Sequence, residues 1–170
     1  PYGLPIAAAF PFEKASVAVE DSRIAYVDEG EGQPVLFLHG NPTSSYIWRN
    51  IIPYVTDDYR AIAPDLIGMG ASGKPDIAYT FEDHARYIDG FIAALDLEDV
   101  VLVVHDWGAA IGMRYARLNP ENVAGLAFME AVSPPSLPVA GYDAMPPDLA
   151  EFFRTMRSPE GEELVLEQNY

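Results

Sequence analysis

The chain has 170 residues, of which 49% are hydrophobic and 12% aromatic, enough to bury the core of one domain. Twenty-six acidic residues against ten basic ones give a formal charge of −16, which repels phosphate backbones and anionic lipid surfaces. The hydrophobic content argues against a disordered chain, and the negative charge argues against a nucleic-acid or membrane partner. No apolar run approaches the roughly 20 residues that span a bilayer. The chain contains no cysteine, which excludes disulfides, thiolate metal sites and cysteine nucleophiles. Residues 1–12 contain a short apolar patch, but they lack a basic leader and contain three prolines, so they do not predict a secretory signal. We expect a soluble protein of the cytoplasm or periplasm.

The first third of the chain predicts a hairpin followed by two buried strands. Residues 16–20 and 23–27 alternate between apolar and polar side chains, which predicts an antiparallel hairpin at a sheet edge. The apolar run 34–38 predicts a buried strand that leads into a loop containing Asn41. From Ser44 onward the spacing of apolar residues predicts a helix, and residues 59–64 predict the next strand, with a glycine-rich loop at its carboxyl end.

The middle of the chain alternates between helices and strands. Thr80 predicts a helix N-cap, followed by acidic residues that suit the helix dipole. Five aliphatic residues, 100–104, predict a strand buried on both faces, and the helix behind it runs to about Leu118. Residues 123–129 predict a further strand, with Glu130 at its end. This order predicts an α/β fold with a mainly parallel sheet and right-handed crossovers.

After Glu130 the character of the sequence changes. Residues 131–147 are rich in proline and lack periodicity, which predicts a linker. An apolar stripe within 149–156 has helical spacing, and such a stripe is more often core than cofactor site. Ser158, followed by proline, predicts the start of another helix. We therefore expect one unit over residues 1–131 and the beginning of a second over residues 132–170.

Polar side chains follow three of the predicted parallel strands, and ligands of open α/β sheets bind outside the carboxyl ends of such strands. Asn41 follows the first, Asp106 and Trp107 the second, and Glu130 the third. Asp106 occupies the tight strand-to-helix turn that presents a nucleophile at the sheet edge, and Gly108 lets the helix pack closely behind it. Each residue also has an ordinary explanation. Asp106 can N-cap the helix, Asn41 can form a turn, Trp107 can cover the core and Glu130 can be a solvated strand end.

Four segments together resemble the haloalkane dehalogenases of the α/β-hydrolase superfamily. They are HGNPTSSYIW, DLIGMGASGKPD, VVHDWGAAIG and FMEAV, and the resemblance extends in the right order over residues 16–170. It implies an α/β-hydrolase fold, in which a mainly parallel sheet carries helices on both faces. It also implies that residues 1–131 are the N-terminal part of this core, and that residues 132–170 are a linker and the first helices of a cap domain.

The resemblance implies a role for each of the four polar residues. Asp106 matches the nucleophile of the family, Asn41 and Trp107 match its two halide-binding side chains, and Glu130 matches the catalytic acid of the subfamily that uses Glu after this strand. The backbone N–H groups of Asn41 and Trp107 would form the oxyanion hole. Val104 replaces the small residue of the general elbow pattern, a departure that this family shares. The implied partners are a haloalkane, a halide ion and water, and no cofactor or metal is implied.

These residue types suit the cleavage of a carbon–halogen bond. An aspartate is ionised at neutral pH and needs no base to act as a nucleophile. The indole N–H of Trp107 and the amide N–H of Asn41 are neutral donors that stabilise a departing halide in a dry pocket without competing with Asp106 as nucleophiles. The product of the first step is an ester on Asp106. Its hydrolysis requires a general base that activates water.

The resemblance implies a catalytic histidine that none of the three histidines of the chain matches. His39 lies beside the Asn41 loop and His84 in the first turn of a predicted surface helix. His105 lies in a predicted strand, where alternation points it away from the nucleophile. We therefore expect the histidine beyond Tyr170, on a complementary C-terminal segment. The strand before Glu130 would then be an apolar sheet edge, which favours aggregation.

Three other hypotheses fit parts of the pattern. An epoxide hydrolase also resembles the chain in its elbow Asp and following Trp, but it protonates the leaving oxygen, and Asn41 supplies no such acid. A luciferase-like oxygenase on the same scaffold would share these motifs, and light emission with a coelenterazine-type substrate would identify it. The non-enzymatic alternative is a catalytically incomplete half that acts only in assembly, which its mass by light scattering, with and without the complementary segment, would reveal.

Overall fold

The computed structural model describes residues 6–131. The predicted linker and helices of residues 132–170 lie outside the described residues, so the predicted division at residue 131 stays a prediction. The described part contains six strands and two α-helices. They are β1 (Ala15–Val19), β2 (Ser22–Glu29), β3 (Pro34–Leu38), β4 (Arg60–Pro64), α1 (Phe81–Ala94), β5 (Val100–His105), α2 (Trp107–Leu118) and β6 (Val123–Met129).

The strands form one sheet in the order β1-β2-β4-β3-β5-β6. β1 and β2 form the predicted hairpin at one edge, and β2 pairs antiparallel with β4. β4, β3, β5 and β6 are parallel to one another, which confirms the mainly parallel sheet. The chain leaves β3 toward β4 on one side and leaves β5 toward β6 on the other. The carboxyl ends of β3 and β5 therefore flank the topological switch point at which α/β sheets bind ligands.

Side chains of the sheet alternate between two apolar clusters. Leu36 and Leu38 of β3 belong to the cluster that α1 and α2 cover, whereas Val35 and Phe37 belong to the cluster on the opposite face. That second face is covered by Trp48 and Ile52, with Phe10 and Phe12 packed against them. In β5 the residues of the first face are fully buried, but Val101 and Val103 of the second face are half-buried. The prediction that β5 is buried on both faces is therefore correct for one face and too strong for the other.

The helix predicted from Ser44 is instead two short 3₁₀ helices, Ser45–Trp48 and Ile52–Tyr54. The Ser44 side chain accepts the N–H of Tyr46, which ties the first turn tightly. Pro53 has no N–H, so an α-helical hydrogen bond from this position cannot form. Trp48 and Ile52 still pack against the sheet, whereas Ile51 and Tyr54 are about half exposed, so the apolar spacing resembled that of a longer helix although part of it faces solvent.

α1 begins with a capping box, as the sequence indicates. The Thr80 hydroxyl accepts the N–H of Asp83 at 3.1 Å, and the Asp83 carboxylate accepts the N–H of Thr80 at 3.0 Å. The helix is not a surface helix at its first turn, because His84 is buried. Tyr87 is also fully buried and donates its hydroxyl hydrogen bond to Asp21. Burial and this carboxylate raise the pKa of Tyr87 to about 12.

β6 ends the sheet of the described residues, where the sequence predicted an apolar edge. Leu126, Phe128 and Met129 are each more than 40% exposed. Within residues 6–131, none of the helices has the length and apolar character that crossing a bilayer requires.

Candidate active site

Asp106 forms the turn between β5 and α2, with a left-handed backbone conformation of φ 53° and ψ −123°. Such a conformation is strained for a residue with a side chain, and strained residues cluster at functional sites. Asp106 stands at the N-cap position of α2, yet its side chain accepts no hydrogen bond from the helix. N-capping therefore does not explain this residue. The turn has the strand-to-helix geometry that the sequence predicts, and the carboxylate is bound by the loop after β3 rather than by its own helix.

Two glycines permit this geometry. A Cβ on Gly108 would lie 2.3 Å from the carbonyl oxygen of Leu38, so the start of α2 packs directly on the main chain at the end of β3. A Cβ on Gly40 would lie 2.0 Å from Asp106 Oδ1, so the loop after β3 passes against the carboxylate itself. The sheet order accounts for this approach, because β3 and β5 are neighbours although their loops are 65 residues apart in the chain.

Asn41 is the residue of this loop that contacts Asp106. Its backbone N–H donates to Asp106 Oδ1 at 2.8 Å. The peptide bond from Asn41 to Pro42 is cis. The side-chain Oδ1 of Asn41 is buried and receives no hydrogen bond from the described residues. A buried polar group without a partner requires an explanation, and a carboxamide available to a ligand is one.

Trp107 is the first residue of α2 and is half-buried. Its ring lies 6.3 Å from the ring of Phe81, centroid to centroid, at an interplanar angle of 39°. The first N–H groups of an α-helix have no acceptor within the helix. The backbone N–H of Trp107 is one of these groups, and it lies directly next to Asp106.

Glu130 follows β6 and also has a left-handed backbone, with φ 46°. It is largely exposed, and its Oε2 lies 2.8 Å from Nε2 of His105, the last residue of β5. The parallel register explains the contact, because His105 pairs with Met129 and the Asp106 N–H donates to the Met129 carbonyl at 3.4 Å. The structure thus brings Glu130 to the strand end that carries Asp106. Among the described residues the hydrogen-bond partner of Glu130 is His105, and no described hydrogen bond joins Glu130 to Asp106.

Sequence reasoning missed the His105–Glu130 contact and a buried polar cluster behind the Asn41 loop. The centre of this cluster is Asp65, which is fully buried after β4. Its carboxylate accepts from Lys14 Nζ at 2.6 Å and from the backbone N–H groups of Ser45 and Ala71 at 2.9 and 2.7 Å. Burial alone would raise the pKa of Asp65, but the charge of Lys14 and these hydrogen bonds outweigh burial and lower it. A charged residue directly after an apolar strand was the signal for this cluster, although the sequence did not indicate its partner 51 residues away.

Comparisons with known proteins agree with this arrangement. Residues 33–164 match the pattern of the alpha/beta hydrolase fold family. The chain is 51% identical over 159 residues to a haloalkane dehalogenase of Mesorhizobium japonicum, covering 92% of this chain and 51% of that protein. It is 51% identical over 167 residues to a haloalkane dehalogenase of Sphingobium indicum, covering 95% of this chain and 55% of the relative. The chain thus spans about half the length of these curated relatives.

Solved structures of similar sequence also share the fold. The haloalkane dehalogenase DbeA from Bradyrhizobium elkani is 43% identical with a TM-score of 0.71, over 93% of this chain and 54% of that one. The haloalkane dehalogenase DatA from Agrobacterium tumefaciens is 39% identical with a TM-score of 0.69, over 92% of this chain and 52% of that one. These similarities cover more than nine tenths of this chain and about half of each neighbour, so the shared fold is not confined to the four motifs.

Proposed function

Because this chain belongs to the alpha/beta hydrolase fold family, we propose that it is the N-terminal part of an enzyme that hydrolyses haloalkanes to an alcohol and a halide ion. One observation carries the proposal. Asp106 sits on a strained turn at the topological switch point, and its Oδ1 is bound by the Asn41 N–H rather than by its own helix. The similarity to proteins named haloalkane dehalogenase supports the same reaction.

In the first step the Asp106 carboxylate attacks the carbon that bears the halogen. Oδ1 accepts the Asn41 N–H and no described residue donates to Oδ2, so we assign the attack to Oδ2. The new oxygen–carbon bond forms as the carbon–halogen bond breaks, and the halide leaves with the bonding electrons. The indole N–H of Trp107 and the carboxamide of Asn41 are the proposed donors to the departing halide.

In the second step water attacks the Cγ atom of the ester on Asp106. The electron pair of the carbonyl moves onto Oδ1, the atom that the Asn41 N–H already faces at 2.8 Å. An oxyanion hole must lie where the negative charge develops, and this distance meets that requirement. The backbone N–H of Trp107 is the second proposed donor. Collapse of the tetrahedral intermediate releases the alcohol and restores the carboxylate.

A general base must take the proton of the attacking water. We propose that this base is a histidine on a complementary C-terminal segment outside these 170 residues, and that Glu130 orients it. The exposure of Glu130 leaves its second carboxylate oxygen accessible to such a partner. We further propose that residues 1–131 form the N-terminal part of the catalytic core and that residues 132–170 form a linker and the start of a cap domain.

The first step can be tested on the chain itself. Incubation with 1-chlorohexane should add one hexyl group to Asp106 and release one equivalent of chloride, and intact-mass measurement with peptide mapping reads both the adduct and its position. Asp106→Asn is the matched control and should remain unmodified, because a carboxamide is a poor nucleophile. Incubation with 1,2-epoxyhexane distinguishes the epoxide hydrolase hypothesis and should leave no adduct.

A chain that is folded by circular dichroism but gains no hexyl group would contradict the proposal, as would equal modification of Asp106→Asn. The second step requires the base. Addition of the C-terminal half of a haloalkane dehalogenase should therefore change the release of chloride from a single equivalent to repeated turnover.

A further inference from the structure

His39 is fully buried between the end of β3 and the loop after β4. Its Nε2 accepts the backbone N–H of Leu66 at 2.9 Å. A backbone N–H only donates, so Nε2 carries no proton and the single proton of the neutral ring resides on Nδ1. Burial lowers the pKa of His39, which keeps the ring neutral. The Nδ1–H therefore donates to the Gly40 carbonyl, 2.7 Å away.

The carbonyl that His39 holds and the N–H that faces Asp106 belong to the same peptide unit. The Gly40 C=O and the Asn41 N–H point in opposite directions across one planar trans peptide. The N–H and the hydroxyl of Thr43 also donate to the Gly40 oxygen, at 3.2 and 3.1 Å. On the other side of the plane, the Asn41 N–H reaches Asp106 Oδ1 at 2.8 Å. Anchoring the oxygen therefore sets the direction of the N–H.

We infer that His39 is a positioning residue for the hydrolysis of the ester on Asp106. Its Nδ1–H fixes the plane of the Gly40–Asn41 peptide and polarises it, because donors on a carbonyl strengthen the N–H of the same peptide. The inference deepens the proposed function and, for its kinetic part, rests on it. The N–H of Leu66 selects this tautomer of His39, because it donates to Nε2 and leaves the ring proton on Nδ1. This hydrogen bond connects the loop that contains Asn41 to the loop after β4.

Two substitutions separate the two hydrogen bonds of His39. In His39→Asn the side-chain NH₂ takes the place of Nδ1–H and can still donate to the Gly40 carbonyl, but the acceptor for Leu66 is lost. In His39→Gln the side-chain oxygen takes the place of Nε2 and can still accept from Leu66, but the donor to the peptide is lost. Each variant thus removes one buried hydrogen bond. Ser72→Ala serves as the control, since Ser72 bonds to Ala25 and Asp65 in the same buried region without touching this peptide.

The kinetic measurement follows the hexyl ester on Asp106 in the chain supplemented with the C-terminal half of a haloalkane dehalogenase. Loss of one oxyanion donor slows turnover by about 100- to 1,000-fold, so misdirection of the donor in His39→Gln should slow ester hydrolysis by about 10- to 100-fold. Formation of the ester should change by less than about threefold, because this step builds no charge on Oδ1. His39→Asn and Ser72→Ala should stay within about threefold of the unsubstituted chain in both steps. Equal slowing in His39→Asn and His39→Gln, or no slowing in His39→Gln, would overturn the inference.

A second measurement does not depend on activity. The ¹⁵N shifts of the His39 ring in the unsubstituted chain should report a protonated Nδ1 and an unprotonated Nε2, and the opposite tautomer would overturn the inference. The Asn41 amide resonance should move in His39→Gln and stay in place in His39→Asn. If the unsubstituted chain forms no ester, the proposed function fails, whereas the amide resonances still decide whether His39 positions the peptide.

Discussion

Substitution of Gly108 by alanine tests whether the close contact between α2 and β3 holds the elbow in place. The added Cβ would lie 2.3 Å from the Leu38 carbonyl oxygen and 2.5 Å from the His39 carbonyl oxygen. Both neighbours are main-chain atoms of the central part of the sheet, which cannot rotate away. Gly112, one turn later in α2, is a matched control. A Cβ there would lie 2.7 Å from Val104 Cγ1, a methyl group at the end of a side chain.

The expected size of the effect follows from two opposing contributions. Alanine is favoured over glycine in a helix interior by about 1 kcal/mol. Insertion of a methyl group into a packed site costs about 1–3 kcal/mol, and here the start of α2 would have to move by about 1 Å to restore an ordinary contact. The clash at Gly108 is with two main-chain oxygens, so the cost lies at the upper end of this range, and subtraction of the helix propensity leaves an expected loss of about 2 kcal/mol in the free energy of unfolding for Gly108→Ala. Gly112→Ala should change it by less than about 1 kcal/mol, because the small clash and the helix propensity offset each other.

Urea unfolding followed by far-ultraviolet circular dichroism measures both variants on the same scale. The midpoint should fall for Gly108→Ala with an unchanged denaturant slope, which indicates a loss of stability rather than a change of compactness. The displaced turn should also slow the alkylation of Asp106 by 1-chlorohexane. Equal midpoints for the two variants would refute the conclusion that α2 rests on the main chain of β3.

Three further predictions concern the surroundings of the nucleophile. Gly40→Ala places a Cβ 2.0 Å from Asp106 Oδ1, so intact-mass assays should show at least about a 100-fold slower alkylation. Lys14→Met leaves the fully buried Asp65 without its cation and should cost about 2 kcal/mol in urea unfolding at pH 7. Because the pKa of Asp65 is lower in the folded chain, ionised Asp65 contributes to the free energy of unfolding above its unfolded pKa of about 3.9, and this contribution is lost as the pH falls through its folded pKa. Lys14→Met should reduce this loss of stability in acid. Because burial lowers the pKa of His39, the histidine binds a proton in the unfolded chain at a higher pH than in the folded chain, and urea midpoints should decline as the pH falls below about 6.5. His39→Asn should remove this part of the decline. An unchanged pH dependence in His39→Asn would contradict the prediction.

Local sequence patterns were sufficient to predict several of the strands and turns. Alternation predicted the hairpin of β1 and β2, continuous apolar runs predicted β3 and β5, and the short motif around Asp106 predicted the elbow. These features depend on residues that are near in the chain, so periodicity and turn chemistry are sufficient to locate them. The same local pattern predicted one helix after Ser44 where Pro53 enforces two short turns, because apolar spacing alone does not register a missing N–H.

The contacts between these elements follow from the three-dimensional fold. The Asn41 amide reaches Asp106 across 65 residues because β3 and β5 are neighbours in the sheet. His105 contacts Glu130 because the parallel register of β5 and β6 aligns their ends. The strand order arises from the packing of the complete sheet, and the local pattern of one strand does not specify which distant strand becomes its neighbour. The positions of Asn41, Asp106 and Glu130 at strand ends were therefore predictable, whereas the hydrogen bonds of these residues required the fold.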